Sequence, residues 1–265
     1  MTIDHTSVIS IQNLEKSYPA PGVPKKVLKG INLEIQPGQI IGYIGPNGAG
    51  KSTTVKILCG ILPDFEGEVK VLGYDLRTQA LEIKKRIGYI PENAALYDTL
   101  TPREYLQFVG ELQGMKAEEI EQKIVKLLEL FDMHANADDR MNTFSKGMRQ
   151  KILIISGLLH NPDIIFMDEP LSGLDANAVI IVKEILTQLA REGKTIFYSS
   201  HIMDVVEKIS DRIILIDQGN VMADGSFEEL NSGEKSESLE NLFTELTGTS
   251  GHSQKAEEII NVFEN

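Results

Sequence analysis

A glycine-rich segment, GPNGAGKST, carries the first residue pattern in this chain that could do chemistry. It fits G-x-x-x-x-G-K-[ST] and stands between an apolar strand-like run, QIIGYI, and a helix-like run, TVKILC. In this pattern backbone N–H groups surround a phosphate, the lysine reaches the terminal phosphates, and the hydroxyl can ligate Mg²⁺. The predicted phosphate-binding residues are Gly45, Pro46, Asn47, Gly48, Ala49, Gly50, Lys51, Ser52 and Thr53.

Two adjacent carboxylates follow a second apolar run, DIIFMDEP. Asp168 comes after four apolar residues, so it is expected at the carboxyl end of a strand, where ligands bind in open α/β sheets. An acidic residue there can also simply cap a helix. The adjacent pair, in a chain with a phosphate loop, favours a metal-holding Asp168 and a water-activating Glu169.

Net charge and hydropathy limit the classes of partner. The net charge of −13 opposes sequence-independent binding to nucleic acid or anionic lipid. No window approaches the roughly 20 apolar residues needed to cross a bilayer, and no secretory signal is visible. We therefore expect an intracellular protein that meets a membrane only through another protein. The single cysteine, Cys59, excludes an internal disulfide and is expected to be buried.

Short β-branched runs alternate with helical patterns, which predicts an α/β fold. The glycine-rich loop within it resembles that of P-loop NTPases. The runs DIIFM, KTIFYS and RIILI are continuously apolar, as central parallel strands are. The early runs VISIQNLEKSY and VLKGINLEI interleave polar residues and indicate an antiparallel β layer.

Helical signals concentrate between Thr101 and Leu159. Thr101 begins a capping sequence, Gly114 can end the first helix, and a second apolar stripe runs from Ala117 to about Phe131. These signals predict a helical subdomain, about residues 93–160, inserted in a domain spanning 1–230. A tail over 231–265 is expected to hold a short docked helix around Leu239, Leu242, Phe243 and Leu246, then a flexible joint and a last apolar contact.

A third segment makes a family resemblance specific. FSKGMRQK resembles the signature loop of ABC-type ATPases, commonly LSGGQ, with Ser145 and Gly147 at matching positions. The chain departs from that pattern at Lys146 and Met148. The resemblance covers about Val8 to Leu230 and implies a RecA-like core that binds ATP and Mg²⁺.

Further positions match the same family. GYIPE resembles the loop that senses Mg²⁺, with Glu92 in place of the usual glutamine; an exposed loop glutamate is the alternative. LSGLD resembles the dimer-contact loop, although Asp175 could also cap a helix. His201 matches a switch histidine that contacts the γ-phosphate. Tyr18 matches an aromatic that stacks on adenine, with a core tyrosine as the alternative.

The resemblance implies a head-to-tail homodimer or heterodimer in which Ser145 and Gly147 of one chain meet the ATP of the other. It further implies catalysis by Lys51, Glu169 and His201, a separate integral-membrane permease, and a location on the cytoplasmic face of the cell membrane. The motifs look most like those of bacterial drug, antibiotic or ion exporters. The alternative is a soluble ABC-type ATPase of an assembly machine, such as iron–sulfur cluster biogenesis. A DNA-repair or translation ATPase is disfavoured by the acidic charge.

Overall fold

The computed structural model describes residues 7–92, 96–201, 203–231 and 238–247. Ten strands in this part of the chain form two sheets. They are β1 (Ile9–Tyr18), β2 (Lys25–Ile35), β3 (Ile40–Ile44), β4 (Glu66–Val71), β5 (Tyr74–Asp75), β6 (Ile87–Ile90), β7 (Ile164–Asp168), β8 (Thr195–Ser200), β9 (Arg212–Asp217) and β10 (Asn220–Gly225).

The larger sheet has the order β10-β9-β3-β8-β7-β6. All neighbours pair in parallel except β10, which runs antiparallel to β9. Every residue of β3, β7 and β8 is buried, which explains the apolar runs within these strands. The smaller sheet, β2-β1-β4-β5, is antiparallel throughout. The predicted α/β class with a parallel core and a separate antiparallel layer is confirmed.

The helices lie between the strands and in the tail. Those described are α1 (Lys51–Leu58), α2 (Ala80–Lys84), α3 (Pro102–Leu112), α4 (Ala117–Leu130), α5 (Lys146–Leu158), α6 (Ala176–Arg191), α7 (Met203–Ile209), α8 (Phe227–Leu230) and α9 (Leu239–Thr247). Helices α3, α4 and α5 all fall between β6 and β7, where the sequence predicted an inserted helical subdomain. In the described part of the chain, none of these helices has the length and apolar character of a membrane span.

The N-termini of three helices are capped by the side chains that the sequence places there. Thr101 accepts from the Glu104 backbone N–H, and the Glu104 carboxylate accepts from the Thr101 N–H, which completes a capping box for α3. Ser145 and Asp175 cap α5 and α6 by a single bond, each side chain accepting one backbone N–H. Cys59 is buried in the core, as predicted, and burial raises the pKa of its thiol.

One predicted loop is shorter than expected. Gly88, Tyr89 and Ile90 of the GYIPE segment belong to β6, because they pair in parallel with β7 inside the sheet. Only Pro91 and Glu92 lie beyond the strand. In the tail, Leu239 and Leu242 are buried against the core, as predicted. The predicted joint and final contact, within 248–265, lie outside the described residues, and the division of the chain at residue 230 stays a prediction.

Candidate active site

The order of the strands brings the candidate residues to one edge of the sheet. Strand β8 lies between β3 and β7, so the segments that follow these three strands are neighbours. They are the glycine loop after β3, the carboxylates at the end of β7, and His201 after β8. The sheet therefore assembles in space what the sequence spreads over more than 150 positions.

The glycine loop has no room for side chains at two of its positions. A Cβ on Gly45 would collide with the carbonyl oxygen of Ile216, and one on Gly50 would lie 2.6 Å from Leu28 Cδ2. Gly50 also has a φ of 113° and stands directly before α1. The helix thus begins at Lys51 with its N-terminal N–H groups facing the loop, the arrangement that favours an anion.

Lys51 is held against this loop. Its Nζ donates to the carbonyl oxygens of Gly45, at 2.7 Å, and Pro46, at 3.3 Å. The residue is only 8% exposed. Burial lowers the pKa of Lys51, while the nearby carboxylates of Glu169, Asp168 and Glu92 oppose that shift. The ammonium group is therefore placed where it faces negative charge with little water around it.

A cavity of about 240 Å³ lies in front of the loop. Its lining includes three oxygen-bearing side chains that the sequence assigned to a metal, Ser52, Glu92 and Asp168. A hydroxyl and two carboxylates are the hard donors that Mg²⁺ prefers, so the donor set fits that cation. The complete lining is Lys25, Val27, Asn47, Gly48, Gly50, Lys51, Ser52, Thr53, Glu92, Asp168 and Glu169.

The two carboxylates are fixed by the next strand. Asp168 is 4% exposed, and its Oδ1 accepts from the Ser199 hydroxyl at 3.1 Å. Glu169 has a φ of 51°, uncommon for a residue with a side chain, and its N–H donates to the Ser199 carbonyl at 2.9 Å. The Ser200 hydroxyl donates to Glu169 Oε2 at 3.2 Å, and His201 Nδ1 lies 2.8 Å from Oε1. Both oxygens of Glu169 are thereby oriented.

Sequence reasoning missed Ser199 and Ser200. The signal was present, since two hydroxyls end the apolar run KTIFYSS immediately before His201. What the sequence did not supply is the register, in which Asp168 pairs with Ser199 across β7 and β8.

A second cavity, of about 360 Å³, adjoins the first along Asn47, Glu92 and Glu169. His201 and Met203 line it from one side, and Phe243 of α9 lines it from another. The tail helix thus reaches the neighbourhood of the carboxylates, which the sequence did not predict.

Tyr18 lies beside the loop without lining either cavity described above. Its Oη is 3.5 Å from Thr53 Oγ1, and the Lys16 ammonium lies 5.2 Å from the centre of its ring. The ring is half-buried. Its position at the end of β1 leaves one side of the aromatic beside the phosphate loop.

Ser145 and Gly147 lie apart from these cavities, since neither residue lines them. Ser145 is exposed at the start of α5. A Cβ on Gly147 would lie 2.6 Å from the Gly173 carbonyl oxygen, and Lys146 Nζ donates to Ser172 Oγ at 2.7 Å. The signature-like segment therefore packs against the LSGLD loop of its own chain and presents Ser145 outward.

Comparisons with known proteins agree with this arrangement. Residues 28–172 match the family model described as "ABC transporter". The chain is 41% identical over 219 residues to the ABC transporter ATP-binding protein NatA of Bacillus subtilis (strain 168), covering 82% of this chain and 89% of NatA. It is 37% identical over 225 residues to the linearmycin resistance ATP-binding protein LnrL of the same organism, covering 85% of this chain and 71% of LnrL.

Among solved structures, an ATP-binding subunit of an ABC transporter superposes with a TM-score of 0.84 and 30% identity, over 91% of this chain and all of that one. A dimeric post-hydrolysis state of the ATP-binding cassette MJ0796, bound to ADP and Pi, gives a TM-score of 0.77 and 26% identity. The match covers 82% of this chain and 98% of that one.

Proposed function

The chain belongs to the ABC transporter family of ATP-binding subunits, and we propose that it drives export through a separate integral-membrane permease. Within this family it is an ATP-binding cassette with ATPase activity. The observation that carries the nucleotide site of this proposal is the shared cavity of the glycine loop, Lys51, Asp168 and Glu169, from which Ser145 and Gly147 are absent. Half of a two-chain site is present in each subunit.

In our proposal the β- and γ-phosphates of ATP lie against the N–H groups of Gly45–Thr53, with Lys51 on the terminal phosphates. Mg²⁺ would be held by Ser52, Asp168 and Glu92, and it supplies neutralisation of the phosphate charge when bound. The adenine would stack on Tyr18, whose ring lies beside Thr53.

Glu169 is proposed to accept the proton of the attacking water. A hydrogen bond from Ser200 and the 2.8 Å contact of His201 Nδ1 fix its carboxylate, so its orientation does not have to be found during the reaction. With Nδ1 of His201 on Glu169, the other ring nitrogen can face the γ-phosphate. The glutamate and the histidine then act as one unit, the first on the water and the second on the phosphate.

The second chain completes the site in this proposal. Ser145 caps α5 and presents a hydroxyl and a helix N-terminus, which suit the γ-phosphate of a partner's ATP. Gly147 lets that helix end sit close to the LSGLD loop. The dimeric cassette structure to which this chain is similar supports such a pair, made of two identical or two related subunits.

Mixed dimers test the two-chain site. Lys51→Ala and Ser145→Arg subunits should each be nearly inactive alone, because each spoils both sites of its own homodimer. A mixture should recover part of the ATPase activity, because one of the two sites in a mixed dimer carries neither change. Two differently tagged copies, purified in tandem, establish that the dimers are mixed. Absence of recovery in those dimers would count against the two-chain site.

The surface proposed to bind the permease lies on α3. Tyr105, Phe108, Val109 and Leu112 follow helical spacing, and Phe108 and Leu112 are 41% and 71% exposed. Tyr105 and Val109 line a cavity of about 320 Å³ between α3 and the core. An apolar stripe beside a cleft suits an incoming helix. The relatives named for linearmycin resistance and for Nod factor export in Cupriavidus metallidurans support export as the direction.

Co-purification tests this partner and the proposed location on the cytoplasmic face of the membrane. The tagged chain, isolated from gently solubilised membranes, should bring down a multi-span membrane protein. Leu112→Asp should abolish that association while ATP binding persists. Leu130→Asp is a matched control, since Leu130 is 67% exposed at the end of α4, and it should retain the partner. Recovery of a soluble scaffold instead would indicate the assembly-machine alternative.

A further inference from the structure

Helix α9 is anchored to α7 by two kinds of contact. Leu239 is fully buried and Leu242 is 6% exposed, and both belong to the core cluster that contains Val205 and Val206 of α7. The backbone N–H of Leu239 also donates to Glu207 Oε2 at 2.8 Å, across 32 positions of sequence. A carboxylate at the first turn of a helix satisfies a donor that the helix itself leaves unpaired.

The helix that α9 holds begins next to the candidate active site. Helix α7 starts at Met203, two positions after His201. Met203 and His201 line the 360 Å³ cavity together with Glu169. Because His201 lies only two positions before α7, a displacement of α7 would also displace the histidine.

Phe243 of the same tail helix forms part of the wall of that cavity. It is half-buried, packs against the main core cluster, and lines the space shared by Gly45, Glu169 and His201. The Glu169 side chain in this space is 11% exposed and that of His201 is 65% exposed, so the apolar wall restricts the positions open to these side chains while the histidine still meets water. The family match ends at residue 172, so this wall comes from a part of the chain that the match does not cover.

We propose that α9 is a positioning element of the hydrolytic site. Phe243 forms a wall of the cavity beside Glu169 and His201, and the anchoring of α9 on α7 holds the histidine against the glutamate. This inference rests on the roles proposed above for those two residues. Phe243 touches neither phosphate nor water in this proposal, and it acts by confining the groups that do.

The test compares three variants of the full chain with wild type. Phe243→Ala removes the wall, Phe243→Leu keeps an apolar side chain there, and Asn241→Ala changes an exposed residue of the same helix. The turnover number and the KM for ATP are measured by phosphate release. Because small errors in catalytic geometry cost up to about 10²-fold, Phe243→Ala should lower kcat by roughly 3- to 30-fold. Its KM should stay within about twofold, Phe243→Leu should recover most of the turnover, and Asn241→Ala should match wild type.

Two kinetic outcomes would overturn the inference, and a measurement of association adds a third. One is unchanged kcat in Phe243→Ala; the other is an equal loss in Phe243→Ala and Phe243→Leu, which would indicate packing alone. Association is examined by size exclusion with ATP, comparing Glu169→Gln with Glu169→Gln/Phe243→Ala. Equal amounts of dimer support positioning, and loss of the dimer in the double variant contradicts it. Glu169→Gln run in parallel separates the two proposals: full turnover there refutes the role of Glu169, whatever Phe243 does.

Discussion

Replacing Glu169 by Gln tests the hydrolytic site at its most specific contact. The change removes the proton-accepting carboxylate and preserves the shape of the side chain. Gln keeps an oxygen that can accept from Ser200, which now lies 3.2 Å from Oε2. The Glu169 backbone N–H bond to Ser199 is untouched. We therefore expect a folded subunit with a defect in the chemical step.

The expected size of the defect follows from what the carboxylate does. A positioned general base contributes about 10² to 10⁴ in rate. That range corresponds to about 3 to 5.5 kcal/mol of activation free energy. ATP binding should persist, because Lys51 and the N–H groups of the loop make the phosphate contacts. Removing one negative charge beside Lys51 leaves the lysine with Asp168 and Glu92 as nearby carboxylates.

The assay measures phosphate release at saturating ATP, nucleotide affinity by a fluorescent ATP analogue, and the melting temperature. Glu184→Gln is the control, since Glu184 is an exposed glutamate of α6, on a helix outside the cavity lining. It should leave all three values unchanged. Turnover of Glu169→Gln within tenfold of wild type, with ATP affinity intact, would refute the assignment of the general base.

Two further changes test the loop and a half-buried histidine. Gly45→Ala places a methyl group against the Ile216 carbonyl, so we expect a destabilisation of about 1–3 kcal/mol and weaker ATP binding, measured by denaturant unfolding and nucleotide titration; unchanged affinity would contradict the geometry. Burial lowers the pKa of His160 below its usual value near 6.5, so the unfolded chain takes up a proton that the folded chain resists. Wild type should therefore lose unfolding free energy relative to His160→Gln as the pH falls from about 7.5 through 6.5 to 5.5. Urea titrations at each pH measure this difference, with the exposed His134→Gln as control, and a pH-independent difference would refute it.

The sequence predicts best where a local rule determines the structure. The phosphate loop and its helix follow from glycines and a lysine within nine positions, and α3 follows from Thr101, Pro102 and Glu104. Strands β4 and β5 escaped prediction, because EGEVKV is polar at most positions and YD is too short to show a period. Strand β4 forms through pairing with β1, a contact distant in sequence, and β5 then pairs with the edge of β4.

The site residues that sequence reasoning missed, Ser199 and Phe243 among them, take their places through tertiary packing. Ser199 reaches Asp168 only because the two are opposite in the register of β7 and β8. A shift by one residue would turn each side chain to the other face of the sheet. Phe243 is still more remote, since its place at the cavity depends on how α9 packs on α7. Apolar spacing predicted that the tail helix would dock, and it contained no information on where.

The departure from the usual signature pattern has a physical explanation in the same chain. Lys146 stands where the family commonly has glycine. A Cβ added to Gly173 would lie only 2.9 Å from Cγ and Cδ of Lys146. Gly173 also has a φ of 84°, a conformation that favours glycine. Lys146 is therefore accommodated by the absence of a side chain at Gly173, and its ammonium reaches Ser172. The LSGLD loop follows directly from Glu169, so this contact ties the backbone of the proposed general base to the segment that presents Ser145. In a dimer of the proposed kind, Glu169 faces one ATP and Ser145 of the same chain faces the other. The packed LSGLD loop therefore connects the two nucleotide sites over a short distance.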